Sequence, residues 1–518
     1  MSERPHIVIF NPDQWRGDVL GFVGNPAAVT PNLDRAVATD SVAFKWAFCQ
    51  NPVSTPSRCS FMTGWYPHVR GHRTMFHMLR DGEPCLLRTL KQSGYHVFWS
   101  GKNDLVPAQH GYEASCNEKF EPTAEDFARW GYGEGLRGSG WNQARGNPED
   151  DTFFSFYVGR VGEAGAPKER IYLDDDWAMV LGAIDRIKNA PPDKPLCVYL
   201  PLGFPHPPYH VEDPYYSMID RRNPRSPRKL PRRIPAPTSG GWRGKPSLLK
   251  GIYEGQRMQT WTEDRWTELR ATYYGMCARV DAQYGMVMQA LRDAGIYDDT
   301  AVFFFADHGD FTGDYGLVEK TQNTFEDCLT RVPFVIKPPA SVPCLPGVRD
   351  VLAELIDFPA TVEALVDIEK QHDHFGRSLL PLIAGEVDEH RDAVFCEGGR
   401  LKHEKQCMET ESDREGDVHG SYWPRLALQR SDGPEHSKAT MCRTKDFKYV
   451  RRMYESDELY DLKKDPGEQR NVIDDPAYAE VLIAMKEHML QFYHETSDVV
   501  PFDPDERWEG QLTKHELT

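Results

Sequence analysis

Long apolar runs are absent from the chain. Among its 518 residues no stretch approaches the ~18–20 consecutive apolar side chains that a membrane span requires, so no membrane association is expected. A leader-like pattern is not read at the start either. MSERPHIVIF enters an apolar strand pattern within five residues, with no h-region and no small-residue cleavage site. This predicts a cytoplasmic protein, or a periplasmic or secreted one if a leader precedes this sequence. Paired cysteines are also missing. Eleven cysteines, an odd number, show neither a CxxC pair nor zinc-type spacing, which argues against a disulfide framework and predicts reduced, mostly buried thiols. Positive charge is scarce: 61 Lys and Arg stand against 79 Asp and Glu, for a net charge of −18. General affinity for nucleic acid is therefore not expected, and any anionic substrate must meet a local basic patch.

Hydrophobic residues at 40% and a mean hydropathy of −0.60 describe a globular protein. The length exceeds one ordinary core, which predicts a large domain with a smaller one; the polarity shift near residues 380–386 sets them at 1–385 and 386–518. Short runs rich in β-branched residues, at 6–10, 95–100, 196–200 and 300–306, read as buried strands. Residues 31–42 and 86–93 read as helices, as do 174–188. From 266 to 294, Leu269, Tyr273, Met276, Val280, Tyr284, Val287 and Leu291 recur at helical spacing, a core-packing face with no assigned chemistry.

The stretch that organises the rest is NPVSTPSRCSFMTGWYPHV, beginning at Asn51. Pro56 suits a first helical turn, where its missing N–H would be unpaired in any case. The free N–H groups and dipole of that helix would face an anion over Ser54. Arg58 falls one turn along on the same face, and Phe61, Met62 and Trp65 can bury the helix. On spacing alone, a capped surface helix followed by a Gly-Trp-Tyr-Pro turn accounts for the segment equally well.

The wording of the stretch, Ser54-x-Pro56-x-Arg58 followed by Thr63-Gly64-x-Tyr66-Pro67, resembles the signature of the type I sulfatases. In that family the first residue is oxidised to formylglycine, whose hydrated aldehyde is the nucleophile. Four more segments resemble the family's in order. Asp13-Gln14-Trp15-Arg16 matches a position that usually carries two metal-binding aspartates, with Gln14 replacing the second. Gly101-Lys102-Asn103-Asp104-Leu105 matches a Gly-Lys-Trp-His-Leu segment, with Asp104 in place of the His. His206, held between prolines, matches the leaving-group acid, although a rigid structural turn is the alternative. Asp307-His308-Gly309-Asp310, with Lys320 following, matches the second metal segment.

The resemblance implies an α/β fold of the alkaline-phosphatase type, with a large, mostly parallel sheet flanked by helices and a small C-terminal antiparallel sheet plus helix. It implies a divalent cation, Ca²⁺ or Mg²⁺, on Asp13, Gln14, Ser54, Asp307 and His308. Lys102, Lys320 and Arg58 are expected to neutralise charge in the transition state, and His206 to protonate the departing alcohol. Asp104 is expected to face outward and accept hydrogen bonds from the substrate. The implied substrate is a small-molecule or glycan sulfate ester, and the implied partner is a formylglycine-generating or anaerobic maturating enzyme. Homo-oligomer formation is compatible with the sequence. Two alternatives remain: a phosphonate monoester or phosphodiester hydrolase of the same fold, which Gln14 and Asp104 keep open, and a catalytically silent metal-binding homologue.

Three features lie outside these motifs. Residues 106–170 show weak periodicity and read as loops and short helices over the site mouth, a common place for specificity. The one dense basic run, RRNPRSPRKLPRR from Arg221 to Arg233, is broken by prolines and reads as a loop: a solvated insertion, an oligomer contact or a polyanion site. Residues 397–440 read as a surface insertion, in which one of His403, His419 and His436 could border the substrate pocket.

Overall fold

Ile7, Val8, Ile9 and Phe10 are buried on both faces of the strand His6–Asn11, which therefore belongs in the middle of a covered sheet. In the computed structural model, which describes residues 4–132, 156–162, 172–221, 229–237, 241–409, 422–430 and 433–502, that is where it lies. The sheet runs in the order Gly347–Glu354, Val42–Phe48, Phe334–Lys337, Thr300–Phe305, His6–Asn11, Leu196–Pro201, His96–Ser100, Glu118–Phe120. Phe334–Lys337 pairs antiparallel with both neighbours, as the short strand Arg331–Val332 does with Val42–Phe48; the other pairings are parallel.

Helices cover the faces. Glu263–Asp293 is the longest, and all seven residues of its predicted apolar face are buried. Thr262 caps it by accepting from the Arg265 N–H, while Glu263 and Asp264 in the first turn and Arg292 in the last complement its dipole. Tyr284 from this helix meets Phe10 and Phe304 edge-on, with centroids 5.7 and 5.4 Å away, while those two rings stack at 5.5 Å. Such pairs contribute about 0.5–1.5 kcal/mol each beyond their buried area. On the other side, the helix Ser54–Thr63 is buried along its whole length, with Phe61 edge-on to Phe305 at 5.0 Å. Gly64 ends it at φ 72°, where a Cβ would also meet His374 at 2.9 Å.

The C-terminal part forms a four-stranded antiparallel sheet, Val394–Gly398, Ala439–Arg443, Phe447–Arg452 and Glu458–Asp461, closed by the helix Ala479–Thr496. No helix among the described residues is long and apolar enough to cross a membrane. The eleven cysteines are unpaired, and nine of them are buried.

Two stretches differ from expectation. Residues 106–170 are not only loops over the site. Glu118–Phe120 pairs with His96–Ser100 at the sheet edge, and Tyr157–Val161 pairs with Tyr209–Glu212; residues 133–155 and 163–171 lie outside the described ones. A three-residue strand is too short to show a period, so it leaves no pattern to read. Residues 397–440 are likewise not simply an insertion: Val394–Gly398 joins the small sheet and Arg425–Arg430 is helical. There His403 is exposed, His419 lies outside the described residues, and His436 is buried beside a small cavity lined by Arg73, Gln322 and Glu409. Most of the basic run, 222–228, also lies outside the described residues.

Candidate active site

Four neighbouring parallel strands, Thr300–Phe305, His6–Asn11, Leu196–Pro201 and His96–Ser100, end at the same edge of the sheet. Open α/β sheets gather their sites at that edge. Their loops deliver Asp307, His308 and Asp310; Asp13 and Gln14; His206; and Lys102 and Asp104. Ser54, the first residue of its helix, enters after Val42–Phe48. A backbone bond from Asp13 N–H to Phe204 O, 3.2 Å long, ties two of these loops together.

Asp13, Asp307 and His308 are fully buried, and each offers a ligand atom within 4.8 Å of the other two. The Ser54 hydroxyl lies 3.1 Å from His308 Nε2 and 3.3 and 3.4 Å from the Asp13 oxygens. Two carboxylates and an imidazole, converging in the interior, fit a divalent cation. Burial favours the neutral imidazole of His308, leaving it fit to ligate. Burial would raise the Asp13 carboxyl, but the charges of Lys102 and Arg58 hold it well below its ordinary value.

Arg58 serves these carboxylates. With no exposed surface, its guanidinium donates to Asp307 at 2.8 Å, Asn11 at 3.0 Å, Tyr199 at 3.3 Å and Asp13 at 3.5 Å. Lys102 Nζ sits 2.5 Å from Asp13 and 2.8 Å from Asp104, which is partly exposed and held at φ 50°. Asp104 thus pairs with the lysine next to it in the loop. Gln14 turns its side-chain oxygen to Lys320, at 2.8 Å, and donates from its amide nitrogen to Asp310.

Lys320 Nζ has three contacts at 2.8 Å: Gln14 Oε1, Glu319 Oε1 and His206 Nε2. His206 Nδ1 lies 2.6 Å from the Pro207 carbonyl, which can only accept, so Nδ1 carries the proton and Nε2 turns its lone pair to Lys320. Burial and the charge of Lys320 hold His206 neutral, well below the ordinary histidine range. Lys320 and His206 are thus one hydrogen-bonded unit at the site.

Several contributing residues have no role assigned from the sequence. Asp310 accepts from Tyr209 OH, the Thr312 N–H and hydroxyl, and Gln14. Burial pushes it up to about 6 against those bonds. Asp176 accepts from the N–H groups of Gly203 and Phe204, at 2.8 and 2.7 Å, and so fixes the turn carrying His206. Glu319 and Arg425 form a buried pair behind Lys320. Asp310 and Glu319 adjoin recognised residues and could have been suspected. Asp176 reads as one more acid at a helix start, and Arg425 stands in a stretch with no signal.

Known proteins resemble this chain along most of its length. The family described as Sulfatase matches residues 5–368, and N-sulphoglucosamine sulphohydrolase, C-terminal, matches 433–495. The chain belongs to the sulfatase family, sulfuric ester hydrolases by class. It is 25% identical over 527 residues to the multifunctional alkaline phosphatase superfamily protein PehA of Trinickia caryophylli, covering 92% of each chain. It is 24% identical over 525 residues to an arylsulfatase of Clostridium perfringens, covering 94% of each. Its fold resembles the crystal structure of a phosphonate monoester hydrolase of Agrobacterium radiobacter with a TM-score of 0.73, at 24% identity and 95% and 96% coverage.

Proposed function

We propose that the protein hydrolyses a monoanionic sulfate ester of a carbohydrate, with residue 54 serving as nucleophile after oxidation to formylglycine. The observation that carries the reading is the position of the Ser54 hydroxyl. It opens a buried helix, touches the Asp13–His308 pair, and shares its pocket with Lys102 through Asp13. His308 Nε2 lies 3.1 Å from the Ser54 hydroxyl, but a cation held by Asp13, Asp307 and His308 would engage that lone pair, leaving the unmodified hydroxyl without a base and a poor nucleophile.

Charge favours a monoanion. Arg58, Lys102, Lys320 and Arg425 face four carboxylates, Asp13, Asp307, Asp104 and Glu319, through the contacts described. With Asp310, ionised above about 6, as a fifth carboxylate, a divalent cation held by Asp13, Asp307 and His308 would leave an excess of one positive charge, matching the single charge of the ester. Ca²⁺ or Mg²⁺ in that place would act as a Lewis acid on the ester oxygens. Lys102 and Lys320 then hold the anionic oxygens, and Arg58 keeps Asp13 and Asp307 aimed. As the ester oxygen departs, Lys320 passes a proton to His206 Nε2 and the imidazole hands it on to that oxygen, leaving the lysine neutral until solvent reprotonates it. Asp104, partly exposed beside Lys102, accepts from substrate hydroxyl groups.

Asp104 also favours a second reading, a phosphonate monoester or phosphodiester substrate. These too are monoanions, and the enzyme similar in fold is named for the first of them. Turnover of an aryl sulfate, a phosphonate monoester and a phosphodiester by protein purified from its native host separates the readings. A kcat/KM highest for the sulfate supports the first, one highest for either phosphorus ester the second, and no turnover of any a silent metal-binding protein.

A further inference from the structure

Glu319 has a backbone that glycine would hold more easily. Its φ is 66°, in the left-handed region that disfavours residues with a Cβ. Two bonds fix it there: its N–H donates to Tyr209 OH, and its carbonyl accepts from the Phe311 N–H, both at 2.9 Å. The carboxylate is buried between two cations. One oxygen accepts from Lys320 and the other from Arg425 Nη1, each at 2.8 Å, and the same Arg425 nitrogen donates to the Lys320 carbonyl at 2.8 Å. Arg425 arrives from far along the chain, at the start of the helix Arg425–Arg430. That helix is seated against Ser247–Gly255, where Leu428 lies over Gly251 and Pro424 over Gly255 so closely that a Cβ would meet them at 2.8 and 2.7 Å.

We propose that Glu319 and Arg425 are positioning residues that aim Lys320: Arg425 fixes the Glu319 carboxylate, and that carboxylate holds one of the three N–H donors of the lysine. The proposal rests on the functional reading above. A lysine side chain is a flexible stem bearing a point charge, and only partners on several sides give it a direction. Here the partners close a ring. Lys320 donates to Gln14 and Glu319, Gln14 donates to Asp310, Glu319 donates to Tyr209, and Tyr209 donates to Asp310 at 2.8 Å. Without the Glu319 carboxylate the ring opens and the aim of Lys320 on His206 is lost. The buried carboxylate in a position built for glycine has its explanation in that aim, not in stability.

The test removes both partners at once, because either alone would leave a buried charge unpaired. Glu319→Gly with Arg425→Met relieves the strained backbone, so the melting temperature should hold or rise. The kcat/KM should fall about 100-fold, the scale of a misplacement near 1 Å, with the loss in kcat. The comparison uses whichever of the three ester classes the wild type turns over, so failure of the sulfatase reading leaves it intact. If the wild type turns over none, calorimetry with inorganic sulfate decides, and the double variant should bind about tenfold more weakly. Should the double variant fail to fold, Arg425→Ala replaces it: added guanidinium should restore part of its lost activity, or of its lost sulfate affinity if nothing is turned over. A stable double variant whose kcat/KM, or sulfate affinity, stays within about threefold of wild type overturns the proposal. So does an Arg425→Ala protein that guanidinium does not restore.

Discussion

Replacing Arg58 with methionine puts the charge balance of the site under direct strain. The substitution keeps a long apolar stem and removes the guanidinium. Asp307 then loses a cation at 2.8 Å and Asp13 one at 3.5 Å, in a place where all three side chains have no exposed surface. Asp13 keeps Lys102 at 2.5 Å, but Asp307 is left with the N–H groups of Gln14 and His308, at 3.0 and 2.9 Å. Breaking a buried pair from one side costs about 3–5 kcal/mol. That is a large part of the ~5–15 kcal/mol typical of a whole domain. A divalent cation between Asp13 and Asp307 would supply the missing charge, so the loss should depend on metal. Urea unfolding of wild type and Arg58→Met, each in chelator and in saturating Ca²⁺ or Mg²⁺, measures it. The account predicts the full loss in chelator and less than half of it with cation. An equal loss in both conditions, or none in chelator, would refute the reasoning.

Four further outcomes follow from the same geometry. Asp307→Ala should abolish cation binding and nearly all turnover while circular dichroism stays close to wild type; full activity in metal-stripped variant protein removes the assigned cation site. His206→Ala should slow esters of weakly acidic alcohols far more than esters of nitrophenol, whose anion departs without a proton, and equal slowing would reduce His206 to a binding role. Asp104→Asn should raise KM for the natural substrate and barely change rates with a small aryl sulfate; faster turnover of every sulfate ester alike would mean that the carboxylate only repels the anion. Burial, and then Asp174, push Asp176 up to about 6 against the pull of Arg279. As pH falls through that value the carboxylate takes a proton and grips the His206 turn less well, so kcat/KM should drop on the acid side with an inflection near 6. Asp176→Asn should abolish that inflection, and its persistence would assign the limb to another group.

Much of this was legible in the sequence because the strands are apolar on both faces and end in polar residues. The runs at 6–10 and 300–306 read as covered strands, and the resemblance of the segments after them pointed to Asp13 and Asp307. The Ser54 helix was legible from Pro56 and from the apolar residues behind it. What was hidden depends on partners distant in the chain. Gln14 reads as a ligand, and nothing local shows that Lys320, 306 residues away, lies 2.8 Å from its oxygen. Arg58 reads as a cation for the transition state, with no local sign that it lies buried between Asp13 and Asp307. The strain at Glu319 is a backbone property, invisible without coordinates, and Arg425 gains meaning only once the small C-terminal unit is packed against the site.

The mass of the peptide containing residue 54, in protein isolated from its native host, tests the central claim most directly. The account predicts a peptide lacking the two hydrogens that distinguish serine from formylglycine, reactive toward a hydrazine probe and present in proportion to specific activity. An unmodified serine in fully active protein would contradict it.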